Sequence, residues 1–285
     1  MKQSFKTPAL PLLVFTDLDG TLLDERSYSF APANPALARL RGLRIPLIAA
    51  TSKTLVEAAA INTAMANPHP CIIENGSAIC VPAGYFPQPV ANTVNRGFEV
   101  VRSGPDYGWL IMELARLRTR QGYRFVGFAD MGDETVARLT NLPRLAAHNA
   151  RQRLASEPLV WQDSGEALNR FAEELRQLGL RLLRGGRFWH VLGSADKGTA
   201  MEWLVSLYRD NGLPKPVTVA LGDSPNDLDM LRAAVVPVVI RRKDGSHLEP
   251  VEALGARVSA QPGPAGWNSS VLQILQELKE RRTGA

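Results

Sequence analysis

The chain has little of what marks several common protein classes. Cysteine occurs twice in 285 residues, at Cys71 and Cys80, and histidine four times. Two cysteines build no disulfide framework, and no Cys/His set has zinc spacing. They read as reduced, packed thiols of a cytosolic protein. No uninterrupted apolar run approaches the ~20 residues that span a bilayer. The opening stretch MKQSFKTPALPLLVFTD has only a short apolar run broken by Pro11, so it reads as neither a signal peptide nor a membrane span. A cytoplasmic location is the expectation. An excess of one charge is missing too, since 33 basic against 28 acidic residues leave only +5. The densest basic clusters, RRKDG at 241–245 and KERR at 279–282, lack the length and interleaved aromatics of a nucleic-acid surface. Neither nucleic acid nor membrane is an expected partner; a small anionic molecule fits the balance better. Repeats and low-complexity tracts are absent.

What is present is a chain with 45% hydrophobic and 21% charged residues, enough for a sizeable core. PLLVFTD reads as a short apolar strand of the kind buried on both faces of a parallel sheet. NPALARLRGL is helical by spacing, IPLIAATS is a second strand, TLVEAAAINTAM a helix and PCIIENG a third strand. This β-α-β-α-β order predicts an α/β fold with a doubly wound, mainly parallel sheet. The alternation resumes late, with DKGTAMEWLVSLYRDNG and NDLDMLRAA as helices and VTVALGD and VVPVVI as strands, before a last helix, NSSVLQILQELKERR. The middle differs. A Gly/Pro-rich start leads into amphipathic helices and less apolar strands (YRFVGFAD, PLVWQDS, RLLRGG, FWHVL), and EALNRFAEELRQLGL places Leu168, Phe171, Leu175 and Leu178 on one face. The expected division is a core of residues 1–84 and 190–285 around an inserted α+β cap of residues 85–189.

The unusual polar residues fall at strand ends, where ligands sit in open parallel sheets. The first strand ends in Asp17 with Asp19 two residues on. The second ends in Thr51, Ser52 and Lys53, the third in Glu74 and Asn75, and the late strand in Asp223 with Asn226 and Asp227 following. Carboxylates brought together raise one another's pKa unless a cation lies between them. An oxygen-only ligand set favours a hard ion that keeps some waters, Mg²⁺. Such an ion lets an anionic phosphate approach an anionic carboxylate, and a carboxylate can attack phosphorus. A second acid nearby can protonate the departing oxygen and then deprotonate water. Lys197, opening a predicted helix, can balance the charge, and Thr51 can donate to a phosphoryl oxygen.

The motifs carry a resemblance. DLDGTLLD resembles the first motif of the haloacid dehalogenase superfamily, AATSKT the second, ADKGTA the lysine motif and LGDSPNDLDML the fourth, in the expected order from about 14 to 231. An insert between the second and third resembles the subclass with a large α/β cap. The resemblance implies that Asp17 is the nucleophile and an Mg²⁺ ligand, and that Asp19 is the general acid/base and a ligand through its backbone carbonyl. It implies Thr51 and Lys197 as the remaining catalytic residues and Asp223 as the third protein ligand. Asp227, also placed in the metal site, and Asn226, counted with the substrate contacts, organise the metal's surroundings. An aspartate at position 19 implies a phosphate ester rather than a carbon–halogen or phosphonate bond.

Finer marks resemble the mannosyl-3-phosphoglycerate phosphatase family: TSKT, IIENGS, GGRFWHVL before the lysine motif, and QPGPAGW near the C-terminus. The resemblance implies hydrolysis of that glycoside phosphate to mannosylglycerate and phosphate. Another glycosyl or sugar phosphate, such as glucosyl-3-phosphoglycerate, is the alternative; a phosphomutase and a non-catalytic sensor are more distant ones. Candidate substrate contacts are Lys53, Asn75, Arg187, His190 and Asn226. In a period-2 strand Arg187 shares a face with Trp189, and Phe188 with His190, so only one pair looks into a site unless Gly185–Gly186 or a bulge re-aims the strand. Ser52 reads as a helix N-cap. Glu74 is left outside the site, because a fourth acid needs a partner of its own.

Overall fold

The computed structural model describes residues 5–185, 187–249 and 251–283. Strand β1 (Leu12–Thr16) is buried along its whole length. Its alternation sends Leu12 and Val14 into one core and Leu13 and Phe15 into the other, which a strand with helices on both faces requires. Then come α1 (Asn34–Gly42), β2 (Leu47–Ala50), α2 (Leu55–Ala64) and β3 (Cys71–Ile73), the expected β-α-β-α-β. Helix α2 starts on a capping box in which Thr54, not Ser52, is the N-cap and Glu57 answers it.

A tight turn over residues 74–76 leads into β4 (Ala78–Pro82), β5 (Val94–Asn95) and β6 (Phe98–Arg102), which extend the sheet in antiparallel fashion. The insert follows with α3 (Tyr107–Gln121), β7 (Phe125–Gly127), α4 (Asp133–Thr140), α5 (Arg144–Ala150), β8 (Ser156–Trp161), α6 (Gly165–Gln177), β9 (Leu180–Arg184) and β10 (Trp189–Gly193). The chain returns through α7 (Lys197–Asp210), β11 (Val217–Gly222), α8 (Leu228–Ala233), β12 (Val236–Arg241), α9 (Val251–Leu254), β13 (Arg257–Pro262) and α10 (Gly263–Thr283).

Two sheets result among the described residues. One runs β13-β12-β11-β1-β2-β3-β4-β6-β5, parallel as far as β3; the other is antiparallel, β7-β8-β10-β9. The chain winds outward from β1 in both directions, so the switch of direction lies between β1 and β11. The small sheet and the helices around it, which form the insert, lie within residues 103–193. β5 and β6 pair into the large sheet despite their proline-broken surroundings, and β10 pairs with β8 and β9. In the insert, Phe171 and Leu175 of α6 pack with Leu110, Leu114 and Leu117 of α3 on one face of the small sheet. Leu178 lies past the end of α6 and is 38% exposed, so it does not continue that face. No described helix is long and apolar enough to cross a membrane.

Candidate active site

The C-terminal ends of β1 and β11 are neighbours, because the two strands pair in parallel from Leu12↔Val217 to Thr16↔Leu221. That register brings Asp17 beside Asp223, 206 positions away in the chain. Asp17, Asp223 and Asp227 form one buried group whose ligand atoms lie within 4.8 Å of one another. Gly20 makes the approach possible: its φ is +81°, and a Cβ there would lie 3.2 Å from an Asp223 carboxylate oxygen. Thr21 Oγ1 donates to Asp223 Oδ1 at 2.7 Å, and Ser224 Oγ donates to Oδ2 at 2.9 Å.

Lys197, at the first turn of α7, is fully buried and donates to Asp17 Oδ1 at 2.6 Å and to Asp227 Oδ1 at 2.7 Å. Burial alone pulls a lysine ammonium down, but Asp17 and Asp227 outweigh it and hold Lys197 above its usual value. Burial pushes the Asp17 carboxyl well above the carboxylate range; Lys197 opposes this, and Asp227, Asp223 and Asp19 add to it. Asp223 is raised to about 6 by burial and by Asp227, against the hydrogen bonds from Thr21 and Ser224. Three acids in one all-oxygen cluster, Asp17 and Asp223 of them pushed up, fit a hard divalent cation. Asp227 is the least available of them. Lys197 occupies its Oδ1, and the backbone N–H groups of Asp223 and Ser224 both donate to its Oδ2 at 3.0 Å.

A cavity of about 560 Å³ opens above this group, within the size range of small-molecule sites. Asp17, Asp19, Lys53, Arg187, His190, Asp223 and Asn226 line it. Asp19 Oδ2 pairs with Lys53 Nζ at 2.8 Å, while its buried Oδ1 has no hydrogen-bond partner. Burial opposes the charge on Lys53, and Asp19 and Glu57 outweigh it. His190 is buried with Nδ1 unpartnered, and burial, Arg153 and Lys197 hold it neutral, lowered to about 3. Phe188 and His190 line the cavity while Trp189 packs with the helices of the insert, in line with the strand's alternation. Arg187 precedes the strand proper and lines the cavity as well, donating to Thr140 O at 2.5 Å. Gly186 lies outside the described residues.

Thr51, Asn75, Lys197 and Asp227 are buried just behind the lining. Thr51 Oγ1 accepts from Lys53 N at 3.2 Å, and Asn75 Oδ1 accepts from Asn226 Nδ2 at 3.0 Å, so Asn75 supports a lining residue. Sequence reasoning missed Arg153, Arg184, Arg242 and Lys243, which add positive charge to the walls. Arg242 Nη2 donates to Asp223 O at 2.7 Å, which gives the RRKDG cluster a place; no local pattern marked Arg153. Trp267 of QPGPAGW was also missed. It is fully buried and donates to Thr16 Oγ1 at 2.9 Å, directly before Asp17.

No family model matches the chain. A curated relative does. The glucosyl-3-phosphoglycerate/mannosyl-3-phosphoglycerate phosphatase of Methanococcoides burtonii is 34% identical over 264 residues, covering 92% of this chain and 97% of the relative. The chain belongs to this phosphatase family. It is therefore a phosphoric monoester hydrolase. A phosphatase of the haloalkanoate dehalogenase (HAD) superfamily from Bacteroides thetaiotaomicron shares the fold at a TM-score of 0.65, with 19% identity over 97% of this chain and 99% of that one. A subclass IIB sugar phosphatase aligns at 0.63, with 15% identity over 92% of this chain and 98% of its own. Core and insert alike are covered by these likenesses.

Proposed function

We propose that this phosphatase hydrolyses mannosyl-3-phosphoglycerate to mannosylglycerate and inorganic phosphate, with the glucosyl compound as the alternative substrate. The observation that carries the reading is Asp17. It lines the cavity and is held by Lys197 through Oδ1, while Oδ2 makes no hydrogen bond among the described residues. That free oxygen is placed to attack phosphorus. The P–O bond to the glycerate breaks as the Asp17–phosphorus bond forms, and Asp19 gives its proton to the departing alkoxide. Asp19 then takes a proton from water, the resulting hydroxide attacks the aspartyl-phosphate, and phosphate leaves with Asp17 restored. Lys197 holds Asp17 in its attacking geometry and Lys53 receives phosphoryl oxygens, while Thr51 acts from behind the lining, its Oγ1 holding the Lys53 backbone N–H. Asp17, Asp223 and the Asp19 carbonyl would hold Mg²⁺, with Asp227 beside them; when bound, the ion neutralises charge between carboxylate and phosphate.

The glycerate carboxylate and the sugar need groups outside that cluster. Arg187, His190 and Asn226, lining the cavity, are assigned to substrate, while Asn75 acts through Asn226. Residues 103–193 act as a cap that covers the leaving group and excludes water. A cytoplasmic location fits the two buried free thiols, Cys71 and Cys80.

The test is phosphate release by the purified chain from mannosyl- and glucosyl-3-phosphoglycerate and from plain hexose phosphates, with Mg²⁺ added or chelated. Release from the glycosylglycerate phosphates at a kcat/KM about tenfold or more above hexose phosphates, lost on chelation, is the expected result. Equal rates across the panel defeat the substrate assignment, and turnover that survives chelation defeats the metal.

A further inference from the structure

The turn Glu74-Asn75-Gly76-Ser77 sits where core and insert meet. Glu74 is fully buried and does not line the cavity, yet both its carboxylate oxygens face the insert. Oε1 accepts from Leu154 N at 2.7 Å; Oε2 accepts from Ala155 N at 3.1 Å and from Ser156 Oγ at 2.8 Å. Arg153 Nε lies 3.6 Å from the same Oε2. Arg153 in turn donates through Nη2 to Ser52 O at 3.1 Å, between Thr51 and Lys53. The fourth acid thus has its partner, and that partner belongs to the insert.

The backbone of the same turn is tied to the phosphate-site loop. Glu74 N donates to Lys53 O at 3.0 Å, and Asn75 N to Thr51 O at 2.9 Å. Both connections between core and insert run against it. Ser103 N, on the way out, donates to Ser77 O at 2.9 Å. On the way back the chain passes so close to Gly76 that a Cβ there would lie 2.2 Å from the Asp196 carbonyl oxygen. Glu74 and Asn75 have φ of 51° and 59°, a costly conformation for side-chain-bearing residues that surrounding contacts must hold.

We propose that Glu74 is a positioning residue that latches the insert onto the core, so that the insert's contacts with the glycosyl part of the substrate depend on a carboxylate that touches no substrate. The inference rests on the reading of the chain as a glycosylglycerate phosphatase. Because both oxygens accept, a carboxamide in this place turns its NH₂ toward a donor whichever way it faces, and contact with the 154–156 segment is lost.

The variant E74Q tests this with two readouts. The KM for mannosyl-3-phosphoglycerate is expected to rise by about tenfold or more, while kcat/KM for p-nitrophenyl phosphate, which has no glycosyl part, stays within about twofold. Independently of any substrate, the amides of Leu154 and Ala155 are expected to exchange with deuterium about tenfold faster or more, with β1 and β11 unchanged. S156A removes one hydroxyl donor and is expected to shift both readouts the same way by less, which covers the case in which E74Q does not fold. Unchanged KM and exchange overturn the latch. So do equal losses on both substrates with faster exchange throughout, since that is the mark of a merely structural residue. A wild-type chain that releases phosphate from neither glycosylglycerate compound defeats the functional reading instead, and the exchange at 154–155 still decides the latch.

Discussion

At the scale of single residues, the decisive contact is the fully buried Lys197 between Asp17 and Asp227, at 2.6 and 2.7 Å. A lone buried ammonium is costly, and so are two buried carboxylates; together they satisfy one another. The two partners are not equivalent under mutation. D17N removes a carboxylate whose charge burial and its acidic neighbours already oppose, and it leaves Lys197 paired with Asp227, so stability is expected to stay within about 1 kcal/mol of wild type. K197M leaves two acids facing each other without their cation, and breaking a buried pair in this way costs about 3–5 kcal/mol. Activity should fall in both variants, by about 10³-fold or more for D17N if Asp17 is the nucleophile. Denaturant unfolding beside phosphate-release assays checks the pair. Comparable stability loss in the two variants contradicts the asymmetry, and turnover in D17N contradicts the nucleophile.

At the scale of elements, β1 places Asp17 only because its own position is fixed from below. Trp267, on α10, donates to Thr16 Oγ1, and Thr16 Oγ1 donates onward to Asp17 O at 2.7 Å. W267F keeps an aromatic ring but loses the indole donor and some volume. It is expected to cost about 1–3 kcal/mol by urea unfolding and to lower kcat more than it raises KM. A shift in KM alone speaks against a link to Asp17. The strands that carry the acids were legible in advance, because continuous apolar runs ending in polar residues mark buried parallel strands. β5 was not, since two residues among prolines and glycines show no period. The partner of Glu74 was not legible either. It lies about eighty positions away, and only the fold brings Leu154 to it; the same holds for Arg153 in the cavity wall. Four ordered motifs located the acids of the site, whereas among its cationic walls Arg184 ends β9 and Arg153, Arg242 and Lys243 lie on loops outside those motifs.

At the scale of the whole molecule, a carboxyl buried inside the insert makes stability depend on pH. Glu157, on β8, is almost wholly buried; Tyr107 Oη donates to its Oε2 and Ala129 N to its Oε1, each at 2.8 Å. Burial raises its carboxyl to about 7, against the pull of those hydrogen bonds and of Arg153. An unfolded glutamic acid titrates near 4.3. Between these values the folded chain holds a proton that the unfolded chain releases, so stability is greatest below about 4.3 and declines as pH rises toward about 7. A shift of this size corresponds to roughly 4 kcal/mol. His190 acts in the opposite sense over a lower window, because its folded value of about 3 lies below the unfolded 6.5 and its contribution is lost as pH falls. The wild-type curve therefore mixes several slopes, those of the raised Asp17 and Asp223 among them, and the difference between E157Q and wild type isolates one. The neutral amide carries no charge to bury, so melting temperatures from pH 5 to 8 should move in favour of E157Q as pH rises, with the change complete near pH 8. Parallel curves across that range mean that Glu157 already ionises freely in the folded chain, and that the interior of the insert is more open to water than its geometry implies.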